Sequence, residues 1–482
     1  MTKTEPTELD MKLATLLIGV DTLFGGDAMH ESGAYHIIAD TWFSGTPPPQ
    51  IYNDSFAHAA RDFSQGKEGA PNVLEDADAV NDFVNRLGLR TLPDEIQEFP
   101  TNLGKDDIEN LYHLTDALSV MLDTVLAQIN RGKLPSFELR YNSATAYIQQ
   151  YHRVANIEVV NPSEAREKLR DALADVGYEV TSSRTLRETV LAWEKAQKHL
   201  APEKIAVMAK RINAELLEAM RSRIFSHLNF GADDHEPDLS DVAFSGHRFK
   251  TISGVSFTGS NIYQGGEEGG VPALRGLFEY NTDHPITEIK LYYLCSHEVI
   301  GHYINSAVQD ILWRSGKLGF SATIATMCTP EVVFQEGWAQ NIFELIYGSR
   351  EAAAEVHGKH LLVALAHSDL EDFGKHNSSV LYQRDGTGLD EVQRHLADDC
   401  VQLDPIVKKL SGAWAQHPII GPMYGPAYLH GREIVNAAIR EHGNLPIAEI
   451  GYHLKGMVDI GTFQAKVSDY KNSLLRYSNV LH

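Results

Sequence analysis

Apolar residues recur at every third or fourth position through much of the first half of the chain. The segments 105–131 and 202–227 carry continuous stripes of this kind, and the segment 8–43 carries a shorter one. This spacing places apolar side chains on one face of an α-helix, so it predicts amphipathic helices in all three segments. The stripe in 202–227 consists of Ile212, Leu216, Met220 and Ile224.

The pattern changes between residues 230 and 285. Large apolar residues there alternate over short distances with Gly, Ser and Thr, which favours short strands over helices. One predicted strand covers 274–281 and leads directly into the next helix. Helical patterns return at 286–312, 330–347, 350–372, 388–412, 426–442 and 462–478. The chain is therefore predicted to be mainly α, with a small β-sheet region beside the helix at 286–312.

This change of pattern also predicts a division of the chain near residue 230. It separates a helical N-terminal half, residues 1–230, from a catalytic C-terminal half, residues 231–482, that contains the β region. A chain of 482 residues is long enough for one large core or for two to three domains. We expect both halves to line one cleft.

Composition and charge narrow the range of functions. The chain is 43% hydrophobic and 22% charged, which is typical of a globular protein and not of a disordered one. Its formal net charge of −23 repels phosphate groups, so neither nucleic acid nor a membrane is expected as a partner. Three cysteines form no disulfide framework, and the apolar run 13–20 is too short for a signal peptide or a membrane span. These features predict a cytoplasmic protein.

One predicted helix contains two histidines and a glutamate in close succession. Residues 297–302 read His-Glu-Val-Ile-Gly-His, whereas the usual zinc-peptidase helix has its histidines four positions apart. The additional residue turns the second imidazole about 140° from the first on an ideal α-helix, instead of about 40°. His297 and His302 can therefore reach one metal ion only through a local π-helix, a rare feature that gathers at functional sites. Gly301 is its expected position, because glycine adopts unusual dihedral angles at least cost.

The same residues also have purely structural explanations. Glu298 and His302 are four positions apart, so they could form a surface pair worth about 0.2–0.5 kcal/mol. His297 could be a hydrogen-bonded residue of the core. Cys295 points away from His297 on the helix, so it is interpreted as a small buried apolar residue and not as a ligand.

A third candidate ligand lies in the next predicted helix. Thr329 and Pro330 suit the cap and first residue of that helix, which places Glu336 beyond its first turn. Its neighbours in Phe-Gln-Glu-Gly-Trp-Ala are mostly apolar or small, and a buried carboxylate needs a partner. Two histidines and a glutamate can hold a catalytic zinc that keeps a fourth position open for water. The sequence therefore predicts Zn²⁺ bound by His297, His302 and Glu336, with an ordinary exposed glutamate as the alternative for Glu336.

These motifs resemble those of known zinc peptidases. Residues 297–302 resemble the first motif of dipeptidyl peptidase III, although the acidic second motif of that family is missing. Residues 335–339, Gln-Glu-Gly-Trp-Ala, resemble the Q-E-G-L-A segment of the microtubule-associated tyrosine carboxypeptidase family. They are equally similar to the E-G-W-A segment of an uncharacterised bacterial carboxypeptidase-like family, whose first motif contains a proline that this chain lacks. A later Ala-Tyr-x-x-Gly segment of that family is similar to residues 427–431. The resemblance covers residues 270–440 and implies a mostly helical zinc peptidase.

The expected reaction is hydrolysis of a peptide substrate, with exopeptidase cleavage of the carboxypeptidase type. Zn²⁺ lowers the pKa of a bound water, and Glu298 takes its proton and passes it to the leaving amine. The developing oxyanion needs donors besides the metal. Tyr424, Tyr428 and His430 are the candidates, and Tyr428 is preferred partly on the resemblance, although each could equally pack in the core. Arg432, one turn beyond Tyr428, is the candidate clamp for a substrate carboxylate.

The strand at 274–281 is expected to be a sheet edge that pairs with the substrate backbone, with a plain structural hairpin as the alternative. Two other functions fit the same residues. One is a zinc-dependent amidohydrolase that acts on a non-peptide substrate without such backbone pairing. The other is a non-catalytic helical scaffold in which the His–Glu cluster is structural. The sequence leaves the oligomeric state and the role of the N-terminal half open.

Overall fold

Helices make up most of the chain in the computed structural model, as the apolar stripes predict. The structure describes residues 6–42, 48–99, 105–152, 157–228, 247–255, 257–268, 271–314, 318, 320–454 and 460–480. The helices are α1 (Glu8–Leu23), α2 (Ser55–Ser64), α3 (Ala77–Arg86), α4 (Leu92–Gln97), α5 (Lys105–Ile129), α6 (Phe137–His152), α7 (Ser163–Asp175), α8 (Leu186–Ala196), α9 (Pro202–Arg223), α10 (Glu288–Cys295), α11 (Ile304–Arg314), α12 (Pro330–Gln340), α13 (Ile342–Tyr347), α14 (Arg350–His357), α15 (His360–Ser379), α16 (Leu389–Asp398), α17 (Asp404–Lys409), α18 (Gly425–His442), α19 (Asn444–His453) and α20 (Ile460–Val480).

The strands form two small sheets. They are β1 (Ala39–Thr41), β2 (His247–Ile252), β3 (Gly259–Glu268), β4 (Val271–Asn281) and β5 (Ile324–Thr326). The short strands β1 and β5 pair with each other antiparallel, and the other three form a sheet in the order β2-β4-β3. The prediction of a mainly α fold with a small sheet region is confirmed.

The first helix is shorter than the segment predicted for it. It ends at Leu23 instead of continuing to residue 43, and Gly25 follows with a φ of +81°, in the left-handed region that glycine adopts readily. The buried carboxylate of Asp21 then accepts hydrogen bonds from the backbone N–H groups of Ala28 at 3.0 Å and Ile38 at 2.9 Å. These contacts fold the chain back beside the end of α1, which the apolar stripe alone did not indicate.

The strand predicted at 274–281 is not a sheet edge. It belongs to β4, which pairs in parallel with β2 from His247 opposite Gly276 to Ile252 opposite Asn281. Its other side pairs antiparallel with β3, where Gly259 lies opposite Tyr280. The edge expectation was wrong because the parallel partner comes from upstream in the chain, where local pattern gives no information about strand order. Within the described sheet, β3 is an outer strand.

A large hydrophobic core runs through the chain. It includes Leu16 of α1, Ile212 of α9, Phe278 of β4, Phe463 of α20 and Tyr303, which directly precedes α11. Residues from before and after the predicted boundary therefore pack into one cluster. The boundary itself, near residue 230, falls between 229 and 246 and lies outside the described residues.

Candidate metal centre

The candidate histidines lie in the middle of one long helix. The helix α10, a π-helical segment Ser296–Tyr303 and the helix α11 follow one another without a break in helical backbone angles. The predicted π-helix is confirmed, and it extends over 8 residues, more than a single bulge. Its wider turns bring His297 and His302 to one side of the helix, where their Nε2 atoms lie 3.2 Å apart.

Gly301 serves a different purpose from the one that the sequence suggested. Its φ is not positive, so the π-helix does not depend on the conformational freedom of glycine at this position. A Cβ atom on Gly301 would lie 2.6 Å from the Cβ atom and 2.7 Å from the Cα atom of Ala339. The absence of a side chain therefore allows the π-helix to pack directly against α12.

The helix α12 also approaches α18 with backbone against backbone. A Cβ atom on Gly337 would lie 2.3 Å from the carbonyl oxygen of Gly431, and a Cβ atom on Gly431 would lie 2.0 Å from that of Val333. Only glycine fits at either position. This close packing fixes the residues before Gly337 relative to those before Gly431. It therefore holds Glu336 beside Tyr424 and Tyr428.

The carboxylate of Glu336 completes the cluster. Its Oε2 atom lies 3.3 Å from the Nε2 atom of His297 and 3.7 Å from that of His302. The described residues contain one group of three or more His, Cys, Asp or Glu side chains whose ligand atoms lie within 4.8 Å of one another, and it is this one. The three predicted ligands therefore come together, from the π-helix and from α12.

These separations fit a tetrahedral metal ion. Zinc bonds of about 2.0–2.2 Å place neighbouring ligand atoms roughly 3.3–3.6 Å apart, and the three observed distances lie close to that interval. Oε2 of Glu336 is buried without a hydrogen-bond donor among the described residues. A buried acceptor normally has a hydrogen-bond partner. This oxygen has no such partner but faces two imidazole nitrogens, which is the arrangement expected of a metal site. The residues present fit Zn²⁺.

Charge within the cluster supports the same arrangement. Although burial raises the pKa of Glu336, the two imidazoles outweigh it and hold that pKa well below its usual value. Burial lowers the pKa of His302, but the facing carboxylate of Glu336 outweighs it and raises the pKa. An ionised carboxylate and two imidazoles are the protonation states from which a cation can be bound by proton release.

Glu298 lies next to the cluster without belonging to it. Its side chain is buried and lines the cavity described below, together with that of His297. Burial raises the pKa of Glu298, and the neighbouring histidines oppose this effect. Its place at the cavity wall is the one expected of a proton acceptor beside a metal ion.

The two candidate tyrosines form a chain of hydroxyl groups that ends at Glu336. Tyr424, the last residue of a π-helical segment Ile420–Tyr424, donates its hydroxyl hydrogen bond to Oε1 of Glu336 at 2.7 Å. The hydroxyl of Tyr428 lies 2.9 Å from that of Tyr424, and its ring is stacked 6.4 Å from the ring of His297. Burial raises the pKa of both hydroxyls, so both keep their protons. Tyr424 therefore holds the carboxylate of Glu336, whereas Tyr428 lines the cavity.

The structure does not bring His430 or Arg432 to the metal cluster. Nε2 of His430 lies 2.7 Å from the hydroxyl of Tyr141, on another side of α18. The guanidinium of Arg432 is buried and pairs with Asp369 at 2.8 Å and with Asp372 at 3.0 Å. Neither residue lines the cavity. The sequence placed both on the right helix but could not show which of its faces meets the cluster.

A cavity of about 520 Å³ opens beside the cluster. Its wall includes Leu191 and His199 from the N-terminal half and several residues of α10, α15 and α17 from the C-terminal half. The polar and aromatic lining residues that were not predicted from the sequence include Lys375, Lys409 and Trp414. Lys375 belongs to a polar run, residues 374–379, that is buried throughout. A long polar run inside a helix is a signal that the sequence does contain. The sequence does not show, however, that these residues are buried.

Comparisons with known proteins assign no function to the chain. No family model and no curated protein matches the chain. Two of the solved structures that are similar to it share 12% sequence identity with the chain. One is the "putative lipoprotein from Colwellia psychrerythraea", with a TM-score of 0.48, over 86% of this chain and 76% of the other. The other is "a putative lipoprotein of unknown function from Shewanella oneidensis", with a TM-score of 0.46, over 92% and 82%. Both are too distant to carry an argument about function. No described helix has the length and apolar character needed to cross a bilayer.

Proposed function

We propose that this protein is a zinc-dependent peptidase. The observation that carries the proposal is the convergence of His297, His302 and Glu336, with one buried carboxylate oxygen that faces both imidazoles and has no donor among the described residues. Two histidines and a glutamate leave a coordination position for water in a catalytic zinc site. A closed structural site would instead use four protein ligands.

The residues around the cluster suit hydrolysis of an amide bond. His297, His302 and Glu336 would hold the zinc, which when bound supplies Lewis-acid activation of water and of the scissile carbonyl. Glu298, at the cavity wall, would accept a proton from the attacking water and donate it to the leaving nitrogen. The hydroxyl of Tyr428 donates to that of Tyr424 in this structure. It would turn its hydrogen towards the oxyanion as the scissile carbonyl is attacked, since Tyr428 lines the cavity. Tyr424 holds the carboxylate of Glu336 in place through its hydrogen bond.

A peptide backbone can be accommodated at the outer strand of the sheet. β4 is paired on both sides, so the strand at 274–281 cannot receive a substrate. Gly259, the first residue of β3, and Thr258 before it line the cavity. An extended peptide in the cleft would therefore pair with the start of β3, by addition of a strand to the sheet.

The test is a metal assay combined with a peptide-library digest, with and without chelator. Purified protein should contain stoichiometric zinc, and His297→Ala and Glu336→Ala should each lose it. Glu298→Gln should keep the zinc and lose hydrolysis, whereas Glu167→Gln, on an exposed side chain, should keep both. Retention of zinc in both ligand variants would remove the proposed site, and equal activity of Glu298→Gln would exclude Glu298 as the proton acceptor.

Absence of any peptide cleavage by zinc-loaded protein would contradict the peptidase proposal. Chelator-sensitive cleavage of a non-peptide amide by the same protein would then favour an amidohydrolase. Zinc-free protein with unchanged stability would leave the cluster as part of a helical scaffold.

A further inference from the structure

We propose that the cavity contains a carboxylate-binding subsite whose cation is Lys375, so that the substrate is a peptide with a free C-terminus. The identification of the bound group as a peptide rests on the proposed function, whereas the subsite itself rests on the surroundings of Lys375. Cleavage at this site would remove the C-terminal residue.

Lys375 is a buried cation with unused hydrogen-bonding capacity. Its side chain is 9% exposed, and it lines the cavity. An ammonium group has three N–H donors, but among the described residues its only hydrogen-bond acceptor is Oδ1 of Asp372 at 3.3 Å. That distance is long for a charged pair, which normally falls at about 2.7–2.9 Å. The face of the Tyr428 ring, 3.4 Å from Nζ, also stabilises the ammonium as a cation–π partner. The ring carries no formal charge, so an anionic group brought by a ligand is still needed to pair this buried cation fully.

The acidic partner of Lys375 is shared with other donors. Asp372 is fully buried and also accepts hydrogen bonds from Gln340 at 3.2 Å and from Arg432 at 3.0 Å. Arg432 in turn pairs with Asp369. Asp372 therefore neutralises Lys375 only in part, while this buried chain of alternating charges holds the lysine in position. The cation expected at Arg432 from the sequence is supplied to the cavity by Lys375 instead.

A second lysine reinforces the positive character of this end of the cavity. Nζ of Lys409 lies 5.8 Å from the ring of Trp414, and Nζ of Lys375 lies 5.5 Å from the same ring. Lys409 pairs with Glu371 at 3.3 Å, in keeping with the strong lowering of the pKa of Glu371 to about 2, in which attraction to Lys409 and Lys375 overcomes the effect of burial. Both lysines therefore lie 3.3 Å from a carboxylate. The carboxylate beside Lys375 also pairs with Arg432, so Lys375 is the less fully compensated of the two cations.

The position of Lys375 relative to the metal cluster determines where cleavage would occur. Its Nζ atom lies 3.4 Å from the centre of the Tyr428 ring, and that ring also stacks 6.4 Å from the ring of His297. A single aromatic ring thus borders both the ammonium and a metal ligand. Since an extended residue spans about 3.3–3.6 Å, a substrate whose carboxylate is bound to Lys375 would extend along this ring and direct its last peptide bond towards the cluster.

The experiment compares acids with their amides. Binding of a panel of N-acetyl amino acids and of the corresponding carboxamides to the zinc-loaded protein is measured by isothermal titration calorimetry. Loss of a charged hydrogen bond corresponds to at least a tenfold change in Kd, so at least one acid should bind at least tenfold more tightly than its amide. Lys375→Met should abolish this preference, and Lys375→Arg should restore part of it. Lys359→Met, on an exposed lysine at the start of the same helix, should leave it unchanged.

Several outcomes would overturn the proposal. One is that no acid of the panel binds more tightly than its amide, a result that requires no variant and no hydrolysis. Another is that Lys375→Met keeps both its zinc and the acid preference, because the carboxylate would then be bound by the metal alone. If the acid preference depends on Lys375 but no peptide is cleaved, the subsite stands and the peptidase proposal fails. If peptides are cleaved but C-terminal acids and amides react equally, the peptidase proposal stands and the subsite fails.

Discussion

Replacing Gly301 with alanine tests the packing that brings the ligands together. The new Cβ atom would lie 2.6 Å and 2.7 Å from the Cβ and Cα atoms of Ala339, where apolar carbon atoms normally stay about 3.5–4.0 Å apart. The π-helix and α12 must therefore separate by about 1 Å. Overpacking of this kind costs about 1–3 kcal/mol of folding free energy.

The same displacement should damage the metal site more than the fold. His302 lies on one side of the contact and Glu336 on the other, and metal–ligand distances tolerate only about 0.2 Å of change. We expect the affinity for zinc to fall at least tenfold, which corresponds to about 1.4 kcal/mol. Competition with a chromophoric chelator measures the affinity, and urea denaturation of the zinc-free protein measures the stability.

Gly412→Ala is the matched control for this experiment. Gly412 also lies in a π-helical segment, Leu410–Trp414, but a Cβ atom there would have no neighbour within 4 Å. It should leave both quantities nearly unchanged. Wild-type zinc affinity and wild-type stability in Gly301→Ala would refute the reasoning, because the two helices could not then be in direct contact at this point.

Three further predictions address other parts of the structure. Tyr424→Phe removes the hydrogen bond of 2.7 Å to Glu336, so zinc affinity in chelator competition should fall roughly 10–100-fold; unchanged affinity would mean that the hydroxyl does not orient the ligand. Arg432→Met leaves the buried carboxylate of Asp372 with one cation fewer and should cost roughly 3–5 kcal/mol in urea denaturation; a normally stable variant with only a raised KM would return this residue to the role of substrate clamp. Burial raises the pKa of Asp21 to about 7, above the unfolded value of about 3.9, so the stability it contributes is present below pH 4 and is lost as the pH rises through 7. Asp21→Asn should therefore reduce the fall in unfolding free energy between pH 5 and pH 8, and a wild-type slope in this variant would contradict the assignment.

The fold class and the proximity of His297, His302 and Glu336 could be predicted because both leave a local record in the sequence. A helix that packs on a core repeats apolar residues at a fixed interval, and metal ligands are restricted to a few residue types. The separation of His297 and His302 by five positions permitted a shared ligand site only with a π-helix, and this is the conformation observed. Residue chemistry and helix geometry were together sufficient to predict that the two imidazoles lie on one side of the helix.

The remaining features depend on contacts between distant segments, which no local pattern records. The parallel pairing of β2 with β4 removed the expected sheet edge. Arg432 and Lys375 are both cations on helices, and the sequence does not show which of them meets the cavity and which meets Asp369. The sequence likewise did not show why residue 301 is glycine. The reason is the close approach of Ala339, and not the backbone conformation of Gly301.

The π-helical segment also lets the chain carry one residue more than the metal site requires. Deleting Ile300 would give His-Glu-Val-Gly-His, whose imidazoles face one way on an ordinary α-helix. The metal site alone could thus be built with a shorter chain. Because His302 already faces the way that the fourth residue of an ordinary α-helix would face, the residues after the deletion would keep their orientation, including the fully buried Tyr303, which is hydrogen-bonded to the carbonyl of Leu274. The additional residue is thus accommodated within the single turn that joins the two imidazoles, and the helix beyond it continues in the register that an ordinary α-helix would have.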